Sequence, residues 1–415
     1  MLIVYRLLIN LILIISPIII FYRLLKKKED IKRFWEKFCF FSIKRNKGKL
    51  IWFHGASVGE IQSIVPLLEK IERDKQFNKI LITSNTLSSS KIIEKLKLKK
   101  TIHQFYPVDT NILSKKFLNY WEPSCAFFID SEIWPNMLFN LEKKNIPSIL
   151  INGRITKKTF LRWKLFSGLA KKVFGKFSLT LCSNKETRLY LKKLGAKNVK
   201  LIGNLKYSQS ENEQINVSNK FKKFIKSKKI WCASSTHYNE ENFCALTHKE
   251  LKKKFNDLVT IIIPRHIDRV PLIENELKKM ELMTHTYSSI QTINKNTDIL
   301  IVDSYGKTKS IYHSCKNVFL GGSIINRGGQ NPLEAVRYGC SVIHGPHISN
   351  FKEIYNFLKI NKISTKITTQ KKMIDTLEKL FRDKTGSKKI QKKLKLIGKK
   401  ILNLTYKEIN MVLKK

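Results

Sequence analysis

The chain has 415 residues, with 79 Lys+Arg against 32 Asp+Glu and a formal net charge of +47. This length predicts two domains of ordinary size, each able to bury a core. The seven cysteines, at 39, 125, 182, 232, 244, 315 and 340, form no Cys-x-x-Cys pair and sit mostly in apolar runs. That excludes a disulfide or zinc framework and reads as buried thiols in a reducing compartment.

The charge has three competing origins: a Lys-, Ile- and Asn-rich composition, attraction to anionic lipid or a polyanionic substrate, and nucleic acid binding. No nucleic-acid motif accompanies the charge, so no nucleic acid partner is expected. His237, His266 and His313 show no metal-ligand spacing, and no metal or cofactor is expected.

Residues 7–22 (LLINLILIISPIIIFY) are almost wholly apolar and, with residues 2–5, approach the length of a membrane span. Arg23 and Lys26–Lys28 follow at once, which places that side in the cytoplasm. A cleaved signal peptide lacks its small-residue cleavage site here, and the basic cluster lies on the wrong side of the apolar run. Leu24, Ile31, Phe34, Trp35 and Phe38 then recur at helical spacing. They suit either a helix on an anionic membrane surface or an amphipathic core helix.

Strands are predicted at 50–53, 80–83, 126–129, 148–151, 179–182 and 199–202, separated by helices that include 61–72, 89–96 and 185–194. Gly195 reads as a helix stop. A polar stretch, 208–219 (SQSENEQINVSN), reads as a linker. A second set of strands follows at 230–233, 259–263, 299–302, 318–320 and 342–343, then a Lys-rich helical tail from about residue 369. The alternation describes an α/β protein with two Rossmann-like, doubly wound parallel sheets. The expected divisions are an anchor (1–25), a first domain (26–207), the linker (208–219), a second domain (220–390) and a basic tail (391–415). Two doubly wound halves with a central linker match the GT-B architecture by fold analogy.

The motifs fall at strand ends. HGASVGE (54–60) runs a strand into a helix and puts Glu60 in its first turn. There Glu60 reads either as a capping carboxylate or as a general base; the helix dipole lowers its pKa, so burial or a neighbour must oppose that. FFIDSEIWPN (127–136) places Asp130 and Glu132 after an apolar strand, where open α/β sheets bind ligands; Asp130 as a cap for the next helix is the alternative. Lys206, in GNLKY (203–207), offers positive charge to a departing phosphate. In the second half, Pro264-Arg265-His266 ends a strand, and Tyr305-Gly306-Lys307 forms a glycine turn. The segment 317–353 joins a strand, two glycine pairs and the helix start Asn331-Pro332-Leu333-Glu334. Its backbone N–H groups and helix N-terminus predict an anion site, with Glu334 on ribose hydroxyls.

Taken in order, HGASVGE, DSEIWPN, NGRIT (152–156), GNLKY, ASSTH (233–237), PRH, GGSIINRGGQNPLE (321–334) and GPHISNF (345–351) resemble the 3-deoxy-D-manno-octulosonic acid (Kdo) transferases. The likeness includes RFWEKF (33–38) and covers nearly the whole chain. The resemblance implies a metal-free, inverting GT-B glycosyltransferase anchored to the cytoplasmic face of the inner membrane. Its donor would be CMP-Kdo and its acceptor lipid IVA, the lipid A precursor of lipopolysaccharide. It implies Glu60 as proton acceptor, Asp130 and Lys206 as transition-state stabilisers, and Glu132 in support. CMP contacts are implied at Pro264, Arg265, Tyr305, Gly306, Lys307, Asn331, Pro332, Leu333 and Glu334. Three positions depart from the family pattern: Asp130 replaces Glu, Gln330 replaces His, and Lys307 replaces Glu beside the nucleotide. A transferase using another nucleotide sugar, such as a UDP-sugar, is the rival enzyme. A non-catalytic protein binding nucleic acid or a membrane surface is the rival from another class.

Overall fold

The structure, a computed structural model, describes residues 1–45, 48–74, 76–209, 217–290, 293–382 and 386–413. The chain divides into two compact units, Met1–Gln209 with Ile397–Lys415, and Ser210–Leu396. Most of the linker predicted at 208–219 (residues 210–216) lies outside the described residues.

The first unit is built on β1 (Leu50–His54), β2 (Lys79–Ser84), β3 (Thr101–Phe105), β4 (Cys125–Ile129), β5 (Ser148–Gly153), β6 (Leu179–Cys182) and β7 (Val199–Leu201). They form one parallel sheet in the order β3-β2-β1-β4-β5-β6-β7. Helices cover the sheet, so β1 (LIWFH) and β4 (CAFFI) are buried along their whole length and read as unbroken apolar runs. Trp52, Phe117, Trp121, Phe128 and Phe174 anchor the core. Five of the helices start on side-chain caps: Ser57, Thr86, Thr110, Thr156 and Asn184 each accept a backbone N–H three residues on. Gly195 ends a helix at φ +95°, where a Cβ would lie 2.8 Å from the Lys171 backbone.

The second unit repeats the plan with β8 (Lys229–Thr236), β9 (Leu258–Pro264), β10 (Thr284–Thr286), β11 (Ile299–Ile301), β12 (Asn317–Leu320), β13 (Ser341–His344) and β14 (Ser364–Lys366). Its parallel order is β10-β11-β9-β8-β12-β13-β14. Two doubly wound sheets with alternating helices are the GT-B class of α/β fold. Each sheet has a reversal of strand order in its middle, between β1 and β4 and between β8 and β12; in the second sheet β11 also inserts between β9 and the edge strand β10. The crevice at such a reversal, beyond the strands' C-terminal ends, is where open α/β sheets take ligands.

Helix Leu2–Leu25 is long and apolar enough to cross a membrane and is mostly exposed. The stretch after it is not the amphipathic helix that its spacing predicts. Residues 34–38 form a single 3₁₀ turn. Glu36 inside that turn is buried; it accepts from the Arg33 guanidinium at 2.9 Å and the Phe105 N–H at 2.8 Å, and pairs with Ser42. A buried carboxylate needing three donors fixes the segment as a turn against β3, which periodicity alone does not reveal. All seven cysteines are free and buried, and burial pushes the Cys39, Cys125, Cys182 and Cys315 thiols up to about 12.

Candidate active site

A cavity of about 270 Å³ opens at the strand reversal of the first unit, lined by Ser57, Gly59, Glu60, Asp130, Ser131, Arg154, Thr156, Thr159 and Lys206. Three sequence-distant motifs meet here because β1, β4 and β5 end side by side, and Lys206 joins them from the turn after β7.

Glu60 is the third residue of helix Val58–Glu72 and closes a capping box with Ser57. One carboxylate oxygen accepts from the Ala56 N–H at 2.6 Å and the Ser57 N–H at 3.2 Å. Capping and catalysis, alternatives at the level of sequence, are compatible in this geometry. Burial pushes Glu60 up to about 7, the nearby charges of Glu132 and Asp130 add to the rise, and the Ser57 hydrogen bonds oppose it. Burial and neighbours therefore outweigh the helix terminus, the condition a useful base must meet.

Asp130 follows β4 at φ +55° and is buried. Asp and Asn tolerate this left-handed backbone best among non-glycine residues. The turn aims the carboxylate into the cavity. It pairs with the Asn152 amide and lies 3.4 Å from the Lys206 ammonium. Asn152 is itself left-handed, at φ +53°, and its side-chain oxygen accepts the Leu205 N–H at 2.9 Å. A β5–β6 register irregularity between Leu150 and Gly153 marks the same spot. Bulges re-aim side chains beside functional sites. Lys206 sits on the 3₁₀ turn Leu205–Ser208, started by the Asn204 side chain accepting its N–H at 3.0 Å.

Glu132 does not line the cavity. One of its oxygens takes the Trp134 indole N–H at 2.9 Å and lies 3.2 Å from His54 Nε2. His54 Nδ1 is 3.0 Å from the Thr83 hydroxyl, which also accepts the Trp52 indole N–H at 2.9 Å. Glu132 is thus held from behind and acts on Glu60 through its charge. Arg154, Thr156 and Thr159 complete the cavity, although sequence reasoning assigns them no role. The signal available was NGRIT, a strand end with a cation two residues beyond Asn152.

In the second unit the expected nucleotide residues lie along one edge of one sheet. Pro264 ends β9, and Arg265, exposed, donates its N–H to Thr236 O at 3.0 Å. Tyr305–Lys307 follow β11, with Gly306 at φ +82°, Tyr305 75% exposed and the Lys307 ammonium 5.7 Å from the Tyr287 ring centre. Asn331 is exposed, and its side-chain oxygen accepts the Leu333 N–H at 3.1 Å. Leu333 is fully buried, so its side chain belongs to the core. Helix Leu333–Arg337 is five residues long.

The first glycine pair is not the phosphate cradle that its composition predicts. Glu240, fully buried, fills it: its carboxylate accepts from the Gly322, Ser323 and Ile324 N–H groups at 2.6, 3.1 and 3.0 Å and from His237 N–H at 3.1 Å. These donors serve an internal anion. Gly321 and Gly345 are required by close approach, since a Cβ on them would lie 2.3 Å from Ser235 O and 2.1 Å from Ser323 O. Gln330 uses its carbonyl to accept the Tyr355 hydroxyl at 2.9 Å. Among the described residues, no group of three or more His, Cys, Asp or Glu could hold a metal.

Comparison with known proteins agrees with this frame. A family model described as 3-deoxy-D-manno-octulosonic-acid transferase (kdotransferase) matches residues 32–209. A 3-deoxy-D-manno-octulosonic acid transferase of Rickettsia bellii is 32% identical over 378 residues, covering 90% of this chain and 89% of the relative. One from Haemophilus influenzae is 28% identical over 312 residues, covering 74% and 73%. Among solved structures, UDP-GlcNAc 2-epimerase from Neisseria meningitidis, bound to UDP-GlcNAc, superposes with a TM-score of 0.58 at 12% identity, over 89% of this chain and 100% of that one. That likeness speaks to the fold alone.

Proposed function

Since the chain belongs to the 3-deoxy-D-manno-octulosonic acid transferase family, we propose that it moves Kdo from CMP-Kdo to lipid IVA at the cytoplasmic face of the inner membrane, within lipopolysaccharide synthesis. The observation that carries the chemistry is Glu60, a carboxylate pushed up to about 7 in a cavity it shares with Asp130, Arg154 and Lys206.

The reaction is a single displacement. Glu60 takes the proton of a sugar hydroxyl on the lipid, and that oxygen attacks the anomeric carbon of Kdo. The bond from that carbon to the CMP oxygen breaks, CMP leaves with the electron pair, and the configuration inverts. A base with a pKa near neutrality is well matched to this proton. Positive charge gathers on the sugar ring in the transition state, and the Asp130 carboxylate stabilises it. Lys206 and Arg154 supply fixed positive charge for an anionic sugar and its leaving phosphate. Asn152 holds the Asp130 carboxylate in place, and Glu132 raises the proton affinity of Glu60 through its charge. The second unit takes the nucleotide through Pro264, Arg265, the turn Tyr305–Lys307 and the stretch Asn331–Glu334. Because the Gly322–Ile324 N–H groups already serve Glu240, the second unit's own share in stabilising the phosphate falls to Arg265 and to backbone near Asn331. Helix Leu2–Leu25 and the lysine-rich surface keep the enzyme at an anionic bilayer, where its lipid acceptor lies.

The test is mass-resolved product analysis with lipid IVA and either CMP-Kdo or UDP-sugars. Products heavier by one or more Kdo, from CMP-Kdo alone, agree with the proposal. Transfer from a UDP-sugar, or no transfer by folded protein, contradicts it.

A further inference from the structure

An apolar helix of this length crosses a membrane when its far end is free to leave the protein. Here it is not free. Near its start, the Tyr5 hydroxyl donates to the Asp109 carboxylate at 2.8 Å, and Arg6 Nε donates to the Asn136 side chain at 3.0 Å. Both partners are deeply buried parts of the first unit. Asp109 also caps the helix Pro135–Lys143, accepting the Asn136 and Met137 N–H groups at 3.0 and 2.9 Å. At the other end, Arg23 pairs with Glu29 at 2.6 Å, and Glu29 with the Lys37 ammonium at 2.7 Å. The Lys37 carbonyl accepts the Val108 N–H at 3.0 Å, one residue from Asp109. Along the helix, Leu2, Tyr5, Ile9 and Leu13 are half-buried and Ser16 and Ile20 buried, while the residues between them are mostly exposed. The three-to-four-residue recurrence is one continuous face of a helix, partly covered along its length and most deeply at Ser16 and Ile20.

From this geometry we infer that helix Leu2–Leu25 lies flat in one leaflet of an anionic bilayer, latched at both ends to the first unit, and does not span. Tyr5 and Arg23 are about 27 Å apart along the helix at ~1.5 Å per residue, nearly the ~30 Å thickness of the hydrocarbon core. Spanning with both latches closed would carry Asp109 and its helix cap across that core, and an ionisable group there is costly. Lying flat, the helix turns Ile3, Leu7, Leu11, Ile14, Ile18 and Leu25, all exposed, into the acyl chains. Ile112, the second residue of helix Asn111–Trp121 beside Asp109, and Ile31 and Trp35, beyond the other end, are further exposed apolar side chains near the two latches. The lysines around these side chains then meet the lipid phosphates, as in an interfacial helix whose polar side is replaced by protein. The inference shares the membrane attachment of the proposed function and is independent of its chemistry.

The test uses the full-length protein, added to preformed phosphatidylethanolamine–phosphatidylglycerol vesicles. Ile3→Cys, Leu11→Cys, Ile18→Cys and Leu25→Cys each carry an environment-sensitive, dithionite-reducible label; the native thiols are all buried, so labelling is selective. A flat helix gives quenching by shallow and deep nitroxide lipids in a ratio constant to about twofold at all four positions, because each label sits at one depth. Dithionite added outside then reduces all four. A deep maximum at Leu11 with Ile3 protected from external dithionite overturns the flat arrangement while leaving membrane attachment intact. Failure of the unlabelled protein to float with the vesicles overturns the membrane attachment itself.

Discussion

With Glu60 as the base, its proton affinity should set a limb in the pH–rate profile that its sequence position alone would not give. At its ordinary value of 4.5 the carboxylate would be ionised throughout the physiological range; in the cavity it is raised to about 7. A base works only when ionised, so kcat/KM should rise with pH and level off above about pH 8. At pH 5.5 only ~3% of Glu60 is ionised against ~90% for an unperturbed side chain, a difference of roughly thirtyfold in rate. The acceptor's own phosphates titrate near ~6, so the limb by itself is ambiguous. Glu132→Gln separates the two. It removes a charge that raises Glu60 while keeping an acceptor for Trp134 and His54, and it should move the limb to lower pH. Substrate ionisation cannot move with that substitution. The assay is initial rate under subsaturating donor from about pH 5 to pH 9, for wild type and Glu132→Gln. A wild-type profile flat down to about pH 5.5, or a limb unmoved in the variant, refutes the reasoning.

Three further outcomes follow from the second unit. Glu240→Ala leaves four backbone N–H groups around a buried site without their acceptor and should cost ~3–5 kcal/mol in urea unfolding. Gly345→Ala puts a methyl 2.1 Å from Ser323 O, a backbone atom that cannot step aside; a loss of about 3 kcal/mol or more is expected in the same assay. Lys307→Glu reverses an exposed charge in the turn assigned to the nucleotide. CMP affinity by calorimetry should fall by up to about tenfold at low salt, with the effect shrinking as salt rises.

The interior strands were legible because burial on both faces demands unbroken apolar runs: Cys125–Ile129 and Leu258–Pro264 announce themselves. β3, β10 and β14 (TIHQF, THT and STK) were not. All three are edge strands, which face a covering layer on fewer sides and tolerate polar residues. Glu60, Asp130 and Lys206 were legible as motif residues. What placed them together are left-handed turns at Asp130 and Asn152, the second within a register irregularity between β5 and β6, and no local pattern encodes either. Glu240 was invisible for a different reason. Glycines that admit a phosphate and glycines that admit a neighbouring carboxylate look alike, and the carboxylate comes from 82 residues away.

The most direct test of the central claim is the rate of Kdo transfer from CMP-Kdo to lipid IVA by Glu60→Gln beside wild type, at about pH 8 with both substrates saturating. Glutamine keeps the size of the side chain and the capping role at the start of helix Val58–Glu72, and loses only the base. With Glu60 as proton acceptor, kcat should fall by about 10²–10⁴-fold while KM for both substrates changes little. A variant retaining kcat within about threefold of wild type would contradict the assignment.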